Sequence, residues 1–442
     1  MTQSREVISY QLTPEQTAHI ERFPLGSKWR TAIWREQRIT GPLNVQRLLS
    51  AVSRVVGQHE ALRLGLSSST LPLSQWVRDE PPAGRLITAK NIASRSVEQF
   101  YNYVDRLLAA EISKDWDLVS DYPFRFILLR HSPSLHILFS GFAHVFIDAK
   151  SADLIQSEIW DRYGEVPRRY NSRSYVERLL PSSEGTPSRA VMAEREREWV
   201  DRFSGMPSLG KSVNVDAQPD SPTIQGPGRE HFRISGEDLW RLRRMIEGAA
   251  CTEFQWILAC LSVALFKFST YNQVKISATI DLRDVRNRET VGMFALRIPV
   301  ALERKGSFQE TLKCVAQEIL KSLAAYRRMD PGALDQALKE VSIESAGTVG
   351  ELTINHRFSA SAQSASLGDI EVSYYESPEA RKGSYIPNGM DVKLASGPEY
   401  IECHLTANGN VIPSALRVRI SDAFASALRG NTGELEVAPY RA

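Results

Sequence analysis

The chain has 442 residues, 42% of them hydrophobic and 24% charged, with a formal net charge of +2. That length suits two domains or one pseudo-duplicated unit, and the composition is that of an ordinary globular protein. Near-neutral, interleaved charge argues against a nucleic-acid binder, and cysteines at only 251, 260, 314 and 403, with no CxxC and no histidine at metal-ligating spacing, argue against a zinc site and for a reducing cytoplasm.

The N-terminal MTQSREVISYQL lacks the basic-then-apolar pattern of a signal peptide. Asn44 is placed to cap a helix whose apolar residues recur at Val45, Leu48, Leu49, Val52, Val55 and Val56. Ser96 and Gln99 form a capping-box pattern ahead of a second helix carrying Phe100, Val104, Leu107 and Leu108. FRFILLR (124–130) and LHILFSGFAH (135–144) read as a hairpin joined by HSPS. After Asp148, KSADLIQSEIWDRYG reads as a helix that stops at Gly164.

Between about 179 and 234 the chain turns rich in Pro, Ser and Gly, around a charged helix at 190–203, and a domain crossover is expected there. The second half repeats the mixed pattern. Thr252 and Gln255 cap FQWILACLSVALFKF (254–268), which is too short for a membrane span and reads as a buried core helix. VKISATIDL (274–282) reads as a strand, and Ser307 and Glu310 cap a helix running to about Arg328. ELTINHRF, IEVSYY, MDVKLAS and YIECHLTANG read as hairpin-like strands before a last helix near 413–429. The order predicts two α/β layered domains, with ligand sites in the cleft between them.

The chemistry-bearing stretch is GFAHVFIDAKS (141–151). His144 ends an apolar strand, where an imidazole can take a proton at neutral pH; the plain alternative is a buried histidine satisfied by a backbone carbonyl. Asp148 either caps the following helix or pairs with an arginine, for which Arg283 in DLRDVRNR is the candidate. Arg286 and Arg288 read as a solvated loop. His59, His131, His136, His231, His356 and His404 show no paired spacing, and neither a nucleophile elbow nor a Walker loop is present. RLRRMIE (241–247) is a basic helix face, solvated or facing an acidic partner.

As a set these residues resemble the condensation domains of nonribosomal peptide synthetases, within the CoA-dependent acyltransferases shaped like chloramphenicol acetyltransferase. YQLTPEQ (10–16) is similar to the family's Leu-Ser/Thr-Pro-x-Gln. GPLNVQRLLSAVSRVVGQHEALR (41–63) is similar to the stretch running into Arg-His-Glu-x-Leu-Arg. DWDLVSDYPFRFILLR (115–130), YNSRSYVE (170–177), EWVDRFSGMP (198–207) and IDLRDVRNRETVGMFALRIPV (280–300) follow in the family's order. GFAHVFIDAKS sits where the family carries His-His-x-x-x-Asp-Gly.

The resemblance implies two acyltransferase-like α/β sandwich subdomains in a V-shaped pseudo-dimer with a tunnel at their interface: 1–178 bearing the motif, a 179–234 crossover, and 235–442. It makes His144 the catalytic or positioning histidine and Asp148 and Arg283 a structural pair. It sets Ala143, Ala149, Gly292 and Phe294 along the tunnel. The implied reaction joins an acyl group, held as a thioester on a carrier protein's phosphopantetheine arm, to an amine or a hydroxyl. A thioester is already activated, so no ATP, metal or bound cofactor is implied. A free-standing enzyme would meet its carrier in trans, and basic surface such as RLRRMIE would aid that encounter. Two alternatives stand beside this one: an O-acyltransferase using acyl-CoA or a carrier, and a non-catalytic relative that recruits a partner. The chain departs from the motif at Ala143, in place of the first histidine, and at Ala149, whose extra methyl would narrow the tunnel or favour a small nucleophile. Leu296 stands where the family often has asparagine.

Overall fold

Capping and apolar periodicity fix the helices, and the computed structural model shows where they pack. It describes residues 8–22, 31–68, 73–92, 96–167, 173–180, 189–204, 206, 228–326, 351–358, 364–375, 389–409 and 411–431. In chain order the elements begin with β1 (Ser9–Gln11), α1 (Pro14–Arg22), β2 (Ala32–Thr40), α2 (Val45–Gln58), β3 (Leu64–Leu66), β4 (Ser74–Val77) and β5 (Ile87–Asn91). Next come α3 (Val97–Ile112), β6 (Phe124–Ser132), β7 (Leu135–Ala143), α4 (Ala149–Tyr163), α5 (Val176–Leu179), α6 (Arg189–Ser204) and β8 (Gly228–Ser235). Then α7 (Gly236–Gly248), α8 (Glu253–Phe266), β9 (Gln273–Asp281), β10 (Ala295–Glu303), α9 (Phe308–Tyr326) and β11 (Glu351–Phe358) follow. Last are β12 (Ser364–Leu367), β13 (Ile370–Tyr374), β14 (Gly389–Ser396), β15 (Tyr400–Ala407) and α10 (Ser414–Leu428).

The chain divides into two units. Unit 1 is Met1–Gly185, Leu282–Ala295 and Ser361–Gly383; unit 2 is Thr186–Asp281, Leu296–Ala360 and Ser384–Ala442. Beside the expected 1–178, 179–234 and 235–442, this clustering groups segments 282–295 and 361–383 with the N-terminal residues. The Pro-, Ser- and Gly-rich stretches of the expected crossover lie mostly outside the described residues.

Unit 1 is built on a six-stranded mixed sheet, β12-β13-β2-β7-β6-β5, with β7 near its centre. Alternate residues of β6 and β7 go to opposite faces, and both faces are covered. Phe126, Leu128, Leu138 and Phe142 join the core that holds Leu48, Val52 and Val55 of α2 and Ile155 and Ile159 of α4. Ile127, Leu129, Ile137 and Phe139 pack against Phe100, Val104 and Leu108 of α3. Burial on two sides is why LHILFSGFA is mostly apolar and shows no regular alternation. Asn44 caps α2 by accepting from the Arg47 amide at 3.0 Å, and Ser96 with Gln99 closes the expected capping box on α3.

The α4 helix ends at Gly164, but not through a left-handed glycine. Gly164 has φ −77°, and the left-handed residue is Glu165 at φ 55°. A Cβ at 164 would lie 2.8 Å from Leu367 Cδ2, so a larger residue there would make that side-chain tip shift.

Unit 2 carries its own six-stranded sheet, β10-β9-β11-β14-β15-β8, with α8 as the buried helix beneath it. Every residue from Trp256 to Phe266 is buried, as the Thr252/Gln255-capped sequence predicts. The late strands do not form a series of hairpins. Among the described residues β14 and β15 form one hairpin and β12 and β13 another; β11 pairs β14 in parallel, and β13 belongs to unit 1, where it also pairs β2. A parallel pair needs a crossover connection, which no local turn signal reports. No single helix among the described residues is long and apolar enough to cross a membrane.

Candidate active site

β7 ends at Ala143 and sets His144 just past its C-terminal end. The β2–β7 ladder ends at Ala32 opposite Ala143, and the His144 amide continues it by donating to the Thr31 carbonyl at 3.0 Å. The chain then turns tightly: the amides of Phe146 and Ile147 both donate to the Ala143 carbonyl, at 3.1 and 3.2 Å. Val145, Phe146 and Ile147 are fully buried, so this loop is anchored by its own apolar side chains. His144 itself is half-buried.

Four residues on, Asp148 is the N-cap of α4, accepting from the Ser151 amide at 2.7 Å. It also does what the second sequence interpretation required. Arg283 grips it with two donors, Nη1 to Oδ2 at 2.8 Å and Nη2 to Oδ1 at 3.1 Å. Both side chains are essentially excluded from solvent. The Phe294 amide donates to Asp148 Oδ2 at 2.9 Å, and the Asp148 amide donates to the Gly292 carbonyl at 3.2 Å. Burial alone would raise the Asp148 carboxyl; the Arg283 charge and the converging donors outweigh it and hold the group below the usual carboxylate range.

Arg283 is equally saturated. Its Nε donates to the Thr290 carbonyl at 3.1 Å, its Nη2 to Ser151 Oγ at 2.6 Å, and its plane lies 4.1 Å from the Phe294 ring. A buried ion pair persists when its remaining polar atoms are satisfied in this way. Arg286 and Arg288, read as solvated, are exposed, and Asp284 folds their loop by accepting from the Arg286 and Asn287 amides.

Ser151 was overlooked by the sequence reading, although it closes the motif stretch. It donates to the Gly292 carbonyl and accepts from the Gly292 amide, each at 2.8 Å. Asp148 and Ser151, one helical turn apart, thus present one acceptor row to segment 282–295. Tyr175 was also passed over. It is buried, its hydroxyl donates to the Met293 carbonyl at 3.2 Å, and a Cβ at Gly292 would overlap its ring. YQLTPEQ joins the same assembly: Glu15 binds Arg178 at 2.5 Å, and the Arg178 guanidinium covers Phe294 at 4.7 Å.

Of the residues the resemblance sets along a tunnel, Ala143, Gly292 and Phe294 are buried in unit 1, where they pack the loop and the ion pair. Ala149 is half-buried at the first turn of α4, and its carbonyl accepts from Arg35 Nη2 at 2.9 Å. Its backbone is not left-handed, so a methyl group at this place strains nothing. RLRRMIE presents Arg241, Arg244 and Glu247 exposed, as a solvated face does; Arg241 pairs with Glu237 at 3.0 Å, and Arg243 donates to the carbonyls of Gly397 and Pro398.

The His144 ring has one enclosed nitrogen. Nδ1 is shut off from solvent and has no hydrogen-bond partner among the described residues. Burial pulls the imidazole below the ordinary histidine range, with Arg35 adding to the effect, while Asp148 and backbone groups of His144 and Ile147 oppose it in part. The imidazole is therefore neutral at neutral pH, able to accept a proton. The His19 ring of α1 lies beside it, centroids 4.4 Å apart, with Nε2 3.2 Å from Thr31 Oγ1. No sequence signal singles out His19, which is 125 positions from its neighbour and carries no motif.

Residues 9–377 match the Condensation domain family. The chain belongs to that family. Bacitracin synthase 3 of Bacillus licheniformis is 23% identical over 311 residues, which is 70% of this chain but 5% of that protein. The chain thus spans about a twentieth of that relative's length. Among solved structures, the starter condensation domain of rhizomide synthetase RzmA, in a mutant form in complex with C8-CoA, matches with a TM-score of 0.70 at 17% identity, covering 97% of each chain. The X-domain of teicoplanin biosynthesis, solved in complex with OxyB, matches with a TM-score of 0.67 at 19% identity, covering 100% of this chain and 95% of that one. These likenesses show the condensation-domain fold, α/β with a mixed sheet in each unit.

Proposed function

We propose that this chain is a condensing acyltransferase in which His144 manages the proton and the Asp148–Arg283 pair holds its loop in place. The donor is an acyl or aminoacyl thioester on the phosphopantetheine arm of a carrier protein, and the acceptor is an amine. As the amine nitrogen attacks the thioester carbonyl, the new C–N bond forms and His144 accepts the proton that nitrogen sheds. Collapse of the tetrahedral intermediate breaks the C–S bond, and the proton passes to the departing thiol. Holding both reactants at one imidazole supplies orientation, and the base contributes a further factor of about 10²–10⁴. The observation that carries this reading is the pairing of a half-buried, neutral histidine with a rigid support. The Asp148 carboxylate is engaged by Arg283 and by the Ser151 and Phe294 amides, so it positions the loop and does not share the proton.

The test is mass spectrometry of products formed from a panel of acyl-loaded carrier proteins with amine and alcohol acceptors, beside His144→Ala. A product that falls about 10²-fold in the variant supports the reading, and its mass separates amide from ester, the O-acyltransferase alternative. An undiminished product in His144→Ala removes the base assignment. A second reading, non-catalytic recruitment of a partner protein, is favoured by Ala143, fully buried where the motif has its first histidine, and by the likeness to a domain solved with OxyB. Carrier or enzyme binding without any product would select it.

A further inference from the structure

The sequence spacing offers no metal site, yet the unit 2 sheet assembles one set of ligands that spacing does not reveal. In the antiparallel β15–β8 pair, His404 stands directly opposite His231. Glu402 is two residues before His404 and so projects from the same face of the sheet. The two rings stack with centroids 4.6 Å apart, 28° from parallel. Both Nε2 atoms converge on one oxygen: His231 Nε2 lies 2.9 Å from Glu402 Oε1, and His404 Nε2 lies 3.9 Å from it. One ligand atom from each of the three residues falls within 4.8 Å of the others.

We propose that His231, Glu402 and His404 form a zinc-class divalent metal site on the outer face of unit 2. Four tetrahedral ligands about 2.0–2.1 Å from zinc stand about 3.3 Å from one another, and the observed 2.9 and 3.9 Å separations bracket that value. The stacked rings must turn to aim both Nε2 atoms at one ion, and all three side chains, half-buried or exposed, have room to do so. Two imidazoles and one carboxylate suit zinc, and not magnesium or calcium, which favour all-oxygen sites. The neighbouring cations are occupied elsewhere. Arg233, opposite Glu402, lies over the Tyr400 ring at 4.5 Å, and Lys393, opposite His404, binds Asp391 at 3.2 Å. Three protein ligands leave the fourth position open to water or a small anion, the pattern of a site that accepts a ligand. The ion would also tie β8, the edge strand of its sheet, to β15.

The inference does not depend on the proposed condensation activity and is tested without it. Untagged, metal-stripped full-length protein is titrated with zinc chloride by calorimetry, and with cobalt chloride while visible absorption is followed. We expect binding of one equivalent, the intense bands of tetrahedral cobalt, and a loss of affinity of at least about 10-fold in His231→Ala and in His404→Ala. His356→Ala, another carboxylate-paired histidine of unit 2, should bind as the parent does. Absence of binding by the parent overturns the proposal, as does unchanged binding by a His231→Ala/His404→Ala double variant whose circular dichroism is native.

Discussion

Two histidines of unit 1 each end an apolar element, and they stand in opposite settings. His59 follows α2 and is buried, its Nε2 2.7 Å from Glu158 Oε2 on α4. Glu158 also accepts from Arg162 Nε at 2.8 Å, and although burial alone would raise its carboxyl, these partners hold it below its ordinary range. His144 follows β7 and, among the described residues, keeps its covered Nδ1 unbonded. The carboxylate nearest to it in sequence, Asp148, is bound to Arg283 instead. The difference teaches that an acid spaced close to a histidine is not thereby its partner. Where the carboxylate touches the ring, the histidine is part of the framework; where the carboxylate is diverted to an arginine, the ring is held by its loop instead.

Breaking the framework should give the largest effects. Asp148→Ala leaves the Arg283 guanidinium buried without its counter-charge and should destabilise folding by about 3–5 kcal/mol; an unchanged denaturation midpoint would show that the pair contributes nothing. His59→Ala should cost less, on the order of 2 kcal/mol, because Arg162 still serves Glu158, and any protein that stays folded should retain its turnover. The comparison is sharpest with His144→Ala, where the order reverses. Product formation should fall about 10²-fold while the melting temperature moves by only a few degrees. Equal damage to stability by both histidine variants would erase the distinction.

Smaller effects belong to pH. With His144 drawn below the ordinary value of about 6.5, turnover should hold steady as the pH falls to that value and decline only beneath it. His136 supplies the stability counterpart. Burial, helped by Arg130, pushes it down to about 4. The unfolded chain then takes up its proton first, so stability should drain away as the pH drops from about 6.5 towards 4. His136→Asn should flatten that window in a urea titration series.

Much of this architecture was legible in the residues. The caps at Asn44, Ser96 and Thr252, the β6–β7 hairpin and the buried run of α8 are local features, and local chemistry decides them. The Asp148–Arg283 pair was reached through a motif, since its members are 135 positions apart. What stayed hidden depended on which strand lies beside which. The pairing of β13 with β2, the parallel β11–β14 pair, the approach of His19 to His144 and the meeting of His231 with His404 arise from tertiary pairing, which leaves no periodic trace. Ser151 was within view, three residues past an N-cap, but only segment 282–295 gives its hydroxyl something to hold.

That segment also orders events in time. Unit 1 cannot be completed from its first 185 residues, because the arginine that neutralises Asp148 and the strands β12 and β13 come later in the chain. At roughly 5–20 residues per second of synthesis, the aspartate is made on the order of ten seconds before its partner. During that interval Asp148 lacks the arginine that pairs with it in the folded unit, so unit 1 can reach its final packing only after segments 282–295 and 361–383 have been made.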